Sequence, residues 1–522
     1  MFYGKVQYKM TSNILDLKQR ILNLITNAYP SEKVCIFYDF SMQNAHLYTN
    51  LPFTLYKKKQ IPYEITGRHL ENLIMSLNEV EKVETVQGFC NIFFKPEIFL
   101  CIDYDISRYT SHKKVLLEYI SINPTGRLHY GHLSGIRGDV FARMYRYAGH
   151  NVTTEYYVND IGNQIKILTV SILKKYKQLF ECDYIKYNDI NDDNNEKLYD
   201  GEQMTDIATA LHKDIPTKKN FAEIGEFAVD FILKKIKVDL QSMDISFDNF
   251  RYESDIRKYQ KIALEKLQNK AVLCYGKINN QGNDLLLLKN GNKKYALTNQ
   301  EGDITYLGSD IAYHYDKIQR GYDILIDIVG ADHDSWKYAI NFAVNKLSDV
   351  IQFHVASYQL VRCKSNEDLK KFSKRDGTIV TIPDILQFVS KDVLRFMIIA
   401  RKMTDHCILE LDKIKQDVYV QKYKKIIDCI YKMNIKSGVE TYCEVDAVLA
   451  YRLFLLPEII DECIKHLDIS RLCNYIYDIT QSIDLNHDYN RDVLSNFKTS
   501  TGIWSELLGL PNLSLHEMAS EI

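Results

Sequence analysis

The sequence lacks several features that would each have assigned it to a class of protein. No apolar run approaches the length that spans a bilayer, and the start MFYGKVQYKMTSNIL has no apolar core of the kind found in signal peptides. The 11 cysteines include no Cys-x-x-Cys pair and no partner histidines at ligand spacing. These absences predict a cytoplasmic protein that makes no membrane contact, keeps its thiols reduced and holds no structural zinc.

An excess of charge of either sign is also missing. The chain has 66 Lys and Arg against 68 Asp and Glu, for a formal net charge of -2. This balance argues against a protein that coats nucleic acid indiscriminately, but it leaves room for local basic surfaces. With 522 residues, 46% of them hydrophobic and 26% charged, the chain has an ordinary globular composition and is too long for one compact core. We therefore expect roughly two to four domains.

A strand-turn-helix-strand pattern surrounds NPTGRLHYGHLSG (residues 123–135). The run VLLEYIS before it is apolar and contains β-branched and aromatic residues, and NVTTEYYV after it is a second such run. Between the two runs, apolar residues recur at the helical steps of three and four, namely Leu133, Ile136, Val140, Met144 and Tyr147. Gly149 is placed to end that helix. The pattern predicts one βαβ unit.

Two histidines, His129 and His132, lie three residues apart at the predicted start of this helix, with Gly131 between them. The free N–H groups and the dipole of a helix N-terminus favour an anion, and the spacing places both imidazoles on one face. The pattern therefore predicts a phosphate site. The alternative is a capping or purely structural histidine pair.

A second strand-turn-helix pattern begins at ILIDIVGADHDSWKYAINFAV. A further strand pattern, VIQFHVASYQLV, leads into the basic stretch KKFSKRDGT (residues 370–378). There Lys371 and Lys374 offer positive charge to a polyphosphate and Ser373 adds a hydroxyl. The stretch is not a Gly-x-x-x-x-Gly-Lys loop, and an ordinary basic turn is the alternative. Together with the histidines it predicts a clamp on the phosphates of ATP.

The chain divides into three predicted domains. Two half-folds separated by an insertion predict an α/β fold with a doubly wound, Rossmann-like parallel sheet over residues 111–400. Residues 1–110 mix a helical start, Ile14 to Ala28, with strand-like stretches, which predicts an appended α+β domain. Residues 401–522 have helical periodicity and predict an all-helical domain. The acidic, Asn-rich stretch YNDINDDNNEK (residues 187–197) is expected to be an exposed loop.

The order of these motifs resembles that of the class I aminoacyl-tRNA synthetases. The first βαβ unit, then YDGEQMTDIA, YLGSDIAYHYDKIQRGYD, GADHD and FSKRDGTIVTIPDIL, are similar in order and spacing to arginyl-tRNA synthetases of the bacterial type. The first hundred residues resemble that family's appended tRNA-contacting domain. The stretch DVLR at 392–395, with the helical tail, resembles its anticodon-binding domain.

The resemblance implies an activity and its partners. L-Arginine would react with ATP, used together with Mg²⁺, to give arginyl-adenylate and pyrophosphate. The arginyl group would then pass to the terminal adenosine of tRNA-Arg. The expected enzyme is an arginine–tRNA ligase that acts as a monomer.

The resemblance also implies roles for individual residues. Four match the family's catalytic positions, namely His129, His132, Lys371 and Lys374. The expected ATP contacts are His129, Gly131, His132, Gly330, Asp332, Ser373 and Lys374. The expected arginine contacts are Glu118, Asn123, His129, Tyr306, Asp310 and His333. Carboxylates among them suit a guanidinium, which presents its N–H donors in a planar fork.

A basic stretch with interleaved tyrosines lies on a predicted helix of the third domain. It supplies the expected tRNA contacts, Lys415, Tyr419, Lys422 and Tyr423. Lysines can neutralise phosphates and tyrosines can stack on bases, so the stretch predicts a nucleic-acid surface. The alternative is an ordinary solvated charged face.

Three other functions remain open at this point. A small-molecule ligase with the same histidine motif is disfavoured by the length of the chain and its helical tail. A synthetase for another amino acid is possible, although one for cysteine would be expected to use zinc at the thiol. A catalytically silent paralogue is disfavoured because His129, His132 and Lys374 are intact.

Overall fold

The computed structural model describes residues 13–39, 45–181, 183–184, 198–213, 219–278, 281–331, 336–364 and 380–513. The chain forms two compact units. The first comprises Met1–Ser111, Tyr147–Gly149 and Lys422–Ile522, and the second comprises His112–Arg146 and His150–Gln421. The three domains expected from the sequence are a finer division, which stays a prediction. The expected loop at 187–197 lies outside the described residues.

The N-terminal part of the first unit packs helices with a small antiparallel sheet. Its elements are α1 (Ile14–Ala28), β1 (Phe37–Tyr38), β2 (Leu47–Thr49), α2 (Leu51–Lys59), α3 (Tyr63–Ile74), β3 (Val80–Val86), β4 (Phe89–Phe94) and two 3-10 helices (Pro96–Phe99 and Ser107–Tyr109). The strand order is β1-β2-β4-β3. Helix α1 has the predicted bounds because Asn13 caps it and its apolar residues, spaced at three and four, are buried on one face.

The middle of the chain contains the parallel sheet that the two half-folds predicted. Its elements in order are β5 (Lys114–Tyr119), a 3-10 helix (Tyr130–Gly135), α4 (Ile136–Tyr147), β6 (Asn151–Val158), α5 (Asn163–Phe180), α6 (Glu202–Lys213), α7 (Phe221–Ser242), β7 (Asn249–Tyr252), α8 (Glu253–Asn269), β8 (Leu273–Ile278), β9 (Gln281–Asn290), β10 (Lys293–Ala296), α9 (Tyr306–Gln319), β11 (Ile324–Gly330), α10 (Lys337–Leu347), β12 (Gln352–Tyr358), β13 (Val361–Lys364), α11 (Ile382–Ile385), α12 (Lys391–Ile399), β14 (Cys407–Glu410) and a 3-10 helix (Leu411–Gln416).

Five of these strands form the main sheet, in the order β12-β11-β5-β6-β7. All neighbouring pairs in it are parallel. Numbered by their sequence within the sheet, the strands run 5-4-1-2-3, which is the doubly wound order read from the opposite edge. From β5 the chain adds strands toward one edge of the sheet (β6, β7) and then toward the other edge (β11, β12), so the strand order reverses between β5 and β11. The inserted strands form a separate antiparallel sheet, β10-β9-β8.

An apolar core supports this sheet in the second unit. Leu116 of β5, Leu325 of β11 and Phe353 of β12 belong to it, together with buried residues of α8, α9 and α10. Near-continuous apolar runs in parallel strands are the usual consequence of burial on both faces. The core therefore holds rigid the strands whose ends carry the candidate site.

Helices form the rest of the first unit. They are α13 (Val418–Asn434), α14 (Glu444–Phe454), α15 (Leu456–His466), α16 (Ser470–Ser482) and α17 (Arg491–Leu508), followed by a 3-10 helix (Pro511–Leu513). They also contact the N-terminal part of the same unit, since Lys18 pairs with Glu458 at 2.6 Å and the hydroxyl of Tyr451 donates to the backbone oxygen of His46 at 2.6 Å. No helix within the described part of the chain is long and apolar enough to cross a membrane.

Candidate nucleotide and amino-acid site

The candidate site lies where the strand order of the main sheet reverses. In open α/β sheets, ligands bind outside the carboxyl ends of the strands at this point. Here the two strands are β5 and β11, paired from Ile324 with Val115 to Ile328 with Tyr119. The segment that follows β5 carries the two histidines, and β11 ends at Gly330, one of the expected ATP contacts.

The backbone just after β5 turns sharply toward the histidines. Ile120 and Ser121 both have positive φ, 68° and 38°, which is costly for residues with a side chain and especially for a β-branched one. Two glycines let the following helical segment approach closely: a Cβ on Gly135 would lie 2.5 Å from Ile120 Cγ1, and one on Gly138 would lie 2.2 Å from Tyr119 Cγ. This packing fixes the start of the helical segment against the end of β5.

His129 and His132 occupy this segment with their rings together, at a centroid separation of 3.9 Å. The structure corrects one expectation, because His129 caps the 3-10 helix Tyr130–Gly135 and α4 begins only at Ile136. The N–H groups at this end are already used: those of His129 and Gly131 donate to the imidazoles of His132 (3.2 Å) and His129 (3.1 Å). Free backbone N–H groups are therefore not the donors that an anion would meet there.

These contacts determine which imidazole nitrogens can donate. In both rings Nδ1 accepts a backbone hydrogen bond, so the proton of the neutral ring is on Nε2. Burial lowers the pKa of His129, and burial together with the neighbouring ring lowers the pKa of His132 to about 3. Both rings are thus neutral near pH 7 and offer Nε2–H donors.

Described residues on both sides of the KKFSKRDGT stretch contact the same segment. Before the stretch, the hydroxyl of Ser134 donates to the backbone oxygen of Gln359 at 3.0 Å. After it, Tyr130 N–H donates to the backbone oxygen of Val380 at 3.3 Å, and His129 forms a β-bridge with Thr381. Residues on both sides of the KKFSKRDGT stretch therefore contact the segment that carries the histidines.

The residues of the stretch that carry the expected chemistry, Lys371, Ser373 and Lys374, lie outside the described residues. Asp332 and His333, expected near the ribose and the amino acid, also lie outside the described residues.

A row of three carboxylates crosses the sheet next to the strand reversal. Glu118 of β5 is in register with Asp327 of β11 on one side and with Glu155 of β6 on the other. Helix α9 brings positive groups to this row: Lys317 Nζ lies 2.5 Å from Glu118 Oε2 and 2.8 Å from Asp327 Oδ1. At the far end, Arg320 makes a bidentate pair with Glu155.

The charges of this row are strongly coupled. Burial alone would raise the pKa of Asp327, but the charges of Lys317 and His314 outweigh it and the pKa lies below the usual value. His314 Nε2 is 2.8 Å from Asp327 Oδ2. Burial raises the pKa of Glu118, and the charge of Lys317 opposes that rise. Arg320 likewise lowers the pKa of Glu155 against the effect of burial, so Asp327 and Glu155 are the fixed anions of the row.

Asp310 lies one helical turn before His314 on the same face of α9. Burial, followed by the charges of Glu118 and Asp327, raises the pKa of Asp310 well above its usual value. A carboxyl group in this state gains most from a cation placed beside it, because the cation would favour the ionised form. Asp310 and Glu118 therefore belong to one acidic region, together with Asp327 and the neighbouring His314 and Lys317.

The other expected arginine contacts have mixed environments. Tyr306 begins α9 and is 66% exposed, which leaves its ring accessible to a ligand. Asn123 is exposed and donates to Gln164 Oε1 at 2.9 Å. Neither side chain is fixed in the core, so both can change conformation when a ligand binds.

The expected tRNA contacts do not form one exposed face. Lys415 is exposed, and Tyr419 is half-buried with the Arg401 guanidinium 4.1 Å from its ring centroid. Lys422 donates to Asn474 Oδ1 at 3.3 Å. Tyr423 is only 1% exposed, so the expectation that its ring contacts tRNA is corrected: this position of α13 faces the core.

Sequence reasoning missed three members of the acidic region: His314, Lys317 and Asp327. Two signals were present. Asp327 interrupts the apolar run ILIDIVG, and Asp310, His314 and Lys317 follow one another at helical steps of four and three. A charged residue in a buried strand needs a partner, and one face of the preceding helix provides it.

Comparisons with known proteins identify the class first. The model described as "tRNA synthetases class I (R), catalytic domain" matches residues 99–428, which is more than half of the chain. The arginine–tRNA ligase of Anaplasma marginale is 33% identical over 408 residues, covering 72% of this chain and 68% of the relative. That of Campylobacter lari is 32% identical over 421 residues, covering 75% and 76%.

The solved structure of Thermus thermophilus arginyl-tRNA synthetase has a TM-score of 0.72 at 17% identity, covering 97% of this chain and 100% of that one. This likeness supports the fold. The chain belongs to the arginyl-tRNA synthetase family of class I. The predicted fold class, family, enzyme class and function are confirmed.

Proposed function

We propose that the two halves of this site carry out the two-step reaction of an arginine–tRNA ligase. ATP and L-arginine bind side by side at the ends of β5 and β11, and tRNA-Arg then accepts the activated amino acid. The observation that carries the proposal is that Gln359 and Val380, which lie on either side of the KKFSKRDGT stretch in the chain, bond Ser134 and Tyr130 on either side of His132.

The histidines form the nucleotide half. Neutral imidazoles with Nε2–H donors suit phosphate oxygens, and Gly131 provides a surface without a side chain for adenine. A Cβ on Gly131 would lie 2.9 Å from His129 Cε1, so a side chain would displace the catalytic ring. Gly330 and Asp332 are proposed on the ribose side, with Ser373 on the phosphates.

Mg²⁺ is proposed to enter with ATP as part of the nucleotide substrate. It prefers oxygen ligands, chiefly phosphate and water, whereas the described groups at this place are N–H donors. The imidazoles would thus contact phosphate and not the ion. The proposed chemistry uses no zinc.

The acidic region forms the amino-acid half. Asp310 and Glu118 are proposed to face the guanidinium, whose planar fork matches carboxylate oxygens. Tyr306 would cover the side chain. Asn123 and His333 are proposed near the amino and carboxylate groups, with His129 between the two substrates. The net result is an arginine held with its carboxylate toward the phosphates.

Adenylation then needs no protein nucleophile. An oxygen of the arginine carboxylate attacks the α-phosphorus, and the bond to the bridging oxygen breaks so that pyrophosphate leaves with the electron pair. The protein aligns the reactants and offsets the charge that grows on the leaving group. Lys374, assisted by Lys371, is proposed to follow that charge. A hydroxyl of the terminal adenosine of tRNA then displaces AMP from the adenylate.

The remaining parts of the proposal concern the whole chain. Residues 1–110 and 401–522 are proposed to contact tRNA, the latter with Lys415, Tyr419 and Lys422. The enzyme is proposed to act as a monomer in the cytoplasm. Exposed lysines would supply the salt-dependent part of tRNA binding.

ATP–pyrophosphate exchange tests the function. Each of the twenty amino acids is supplied with and without tRNA. Among the twenty, only arginine is expected to support exchange. Exchange with a different amino acid would replace the proposed substrate. Charging of no amino acid in the presence of tRNA would favour the catalytically silent alternative.

The Asp310→Asn variant is expected to raise the KM for arginine by about 10- to 100-fold, since an ion pair with the guanidinium is replaced by a hydrogen bond to an uncharged amide. In the wild type, arginine binding is expected to weaken as pH falls. The raised pKa of Asp310 means that this carboxyl must lose a proton to face the guanidinium. Steady-state kinetics between pH 6 and 8.5 measure both effects.

The matched control is Asp303→Asn, an exposed carboxylate just before α9. It is expected to leave the KM and its pH dependence unchanged. Asp310→Asn should also flatten the pH dependence, because the titrating group is gone. An unchanged KM in Asp310→Asn would remove this residue from the arginine site.

A further inference from the structure

Three metal-ligating side chains meet among the C-terminal helices of the first unit. Cys443 caps α14, Asp446 lies in its first turn and His487 precedes α17. Cys443 Sγ lies 3.7 Å from His487 Nε2, and that nitrogen lies 3.5 Å from Asp446 Oδ2. One potential ligand atom from each residue lies within 4.8 Å of the other two.

These separations fit a single small ion. Donor atoms that bind one zinc ion tetrahedrally at about 2.0–2.3 Å lie roughly 3.4–3.6 Å from one another. The separations of Cys443 Sγ and Asp446 Oδ2 from His487 Nε2, 3.7 and 3.5 Å, are close to this range. Thiolate, imidazole and carboxylate together are a ligand set typical of zinc.

The arrangement does not fit a catalytic relay. In a nucleophile-histidine-acid relay, the nucleophile and the acid contact opposite nitrogens of the imidazole. Here the thiol of Cys443 and the carboxylate of Asp446 both approach Nε2 of His487. Three potential ligand atoms within 4.8 Å of one another can instead surround one ion.

Other contacts hold the Asp446 carboxylate of this cluster in place. Asp446 is 1% exposed and accepts the backbone N–H groups of Cys443 at 2.9 Å and Asn490 at 2.7 Å. The backbone N–H of Arg491 donates to the backbone oxygen of Val439 at 2.9 Å, which joins the segment before α14 to the start of α17. Cys443 is exposed, which leaves one side of the cluster open to solvent.

We propose that Cys443, Asp446 and His487 bind one divalent transition-metal ion of the zinc type, with water in the fourth position. Closed structural zinc sites have four protein ligands, whereas an open three-ligand site exchanges its ion more readily. The ion would join the start of α14 to the loop before α17. His487 is 44 residues from Cys443, so the spacing in the sequence gave no sign of it.

Cobalt provides the direct test. The full chain, stripped of metal with a chelator, is titrated with Co²⁺ while the absorption spectrum is recorded. One equivalent is expected to produce a thiolate-to-cobalt charge-transfer band and the visible bands of a tetrahedral ion. Added Zn²⁺ should abolish both. A spectrum without a thiolate band, or without saturation, would overturn the proposal.

Variants assign the bands to these residues. Cys443→Ser keeps a good helix cap, so the fold is expected to persist, and His487→Gln keeps a polar side chain of similar reach. Each should lower the affinity for Co²⁺ by about 100-fold, since one of three protein ligands is lost. The matched control, Cys101→Ser, removes another exposed thiol and should change nothing. A charge-transfer band that survives in Cys443→Ser, or disappears in Cys101→Ser, would reject the assigned ligands.

Discussion

Alanine at Lys374 is expected to slow the formation of arginyl-adenylate by about 2–4 kcal/mol of transition-state stabilisation, roughly 30- to 900-fold, with little change in arginine binding. The lysine is proposed to meet negative charge that develops on the leaving pyrophosphate. An interaction made mainly in the transition state affects the rate and not the ground-state affinity. Single-turnover adenylation and equilibrium arginine binding separate the two.

A second lysine of the same region serves as the control. Lys364 ends β13, ten residues before Lys374 in the chain, and pairs with Glu410 at 2.9 Å. Lys364→Ala removes an equal charge and is expected to leave the rate within about threefold. Equal losses of adenylation rate in the two variants would indicate that positive charge in this region matters in general, and not Lys374 in particular. An unaltered rate in Lys374→Ala would reject its catalytic role.

Local patterns in the sequence were sufficient for the elements that position the site. The apolar run and helical spacing around the histidines predicted β5, α4 and β6, all of which are present. The spacing of apolar residues and the residues that begin or end a helix are local properties of the chain, so a single sequence shows them. The pairing of β13 with β14 was not predicted, because both strands have only four residues and lie more than forty residues apart.

The environment of the histidines needed the structure. The motif predicted a phosphate site from free N–H groups at an α-helix, but the 3-10 turn uses those groups internally. What remains are the Nε2–H donors, and this follows from which nitrogen each backbone N–H reaches. Tautomers depend on such contacts and cannot be read from spacing.

The environment of the acidic region also could not be predicted from the sequence. Glu118 and Asp310 were expected from the family resemblance, but their shared environment depends on the register of three strands and the face of α9. A shift of one residue in a strand would move its side chain to the opposite face of the sheet. The role of Lys317 is therefore a property of the assembled sheet.

Methionine at Lys317 is expected to lower the free energy of unfolding by about 3–5 kcal/mol, the cost of leaving buried charges without their partner. The side chain of Lys317 is fully buried, and its ammonium contacts both Glu118 and Asp327. Methionine fills a similar volume, so the loss reports on charge more than on packing. Chemical denaturation at pH 8 measures the change. The control is Lys261→Met on α8, a lysine that is 86% exposed, for which the change should stay within about 0.5 kcal/mol.

The pH dependence distinguishes lost charge pairing from lost packing. In the wild type, the charges of Lys317 and His314 keep the pKa of Asp327 low. Without the lysine, burial would raise the pKa of Glu118 further, and the pKa of Asp327 would rise because only His314 would still oppose burial. A folded-state pKa above the unfolded value contributes stability that returns as pH falls. The deficit of Lys317→Met should therefore narrow from pH 8 to pH 5. A deficit that is constant across this range would attribute the loss to packing and would remove the lysine's charge as the support of the acidic region.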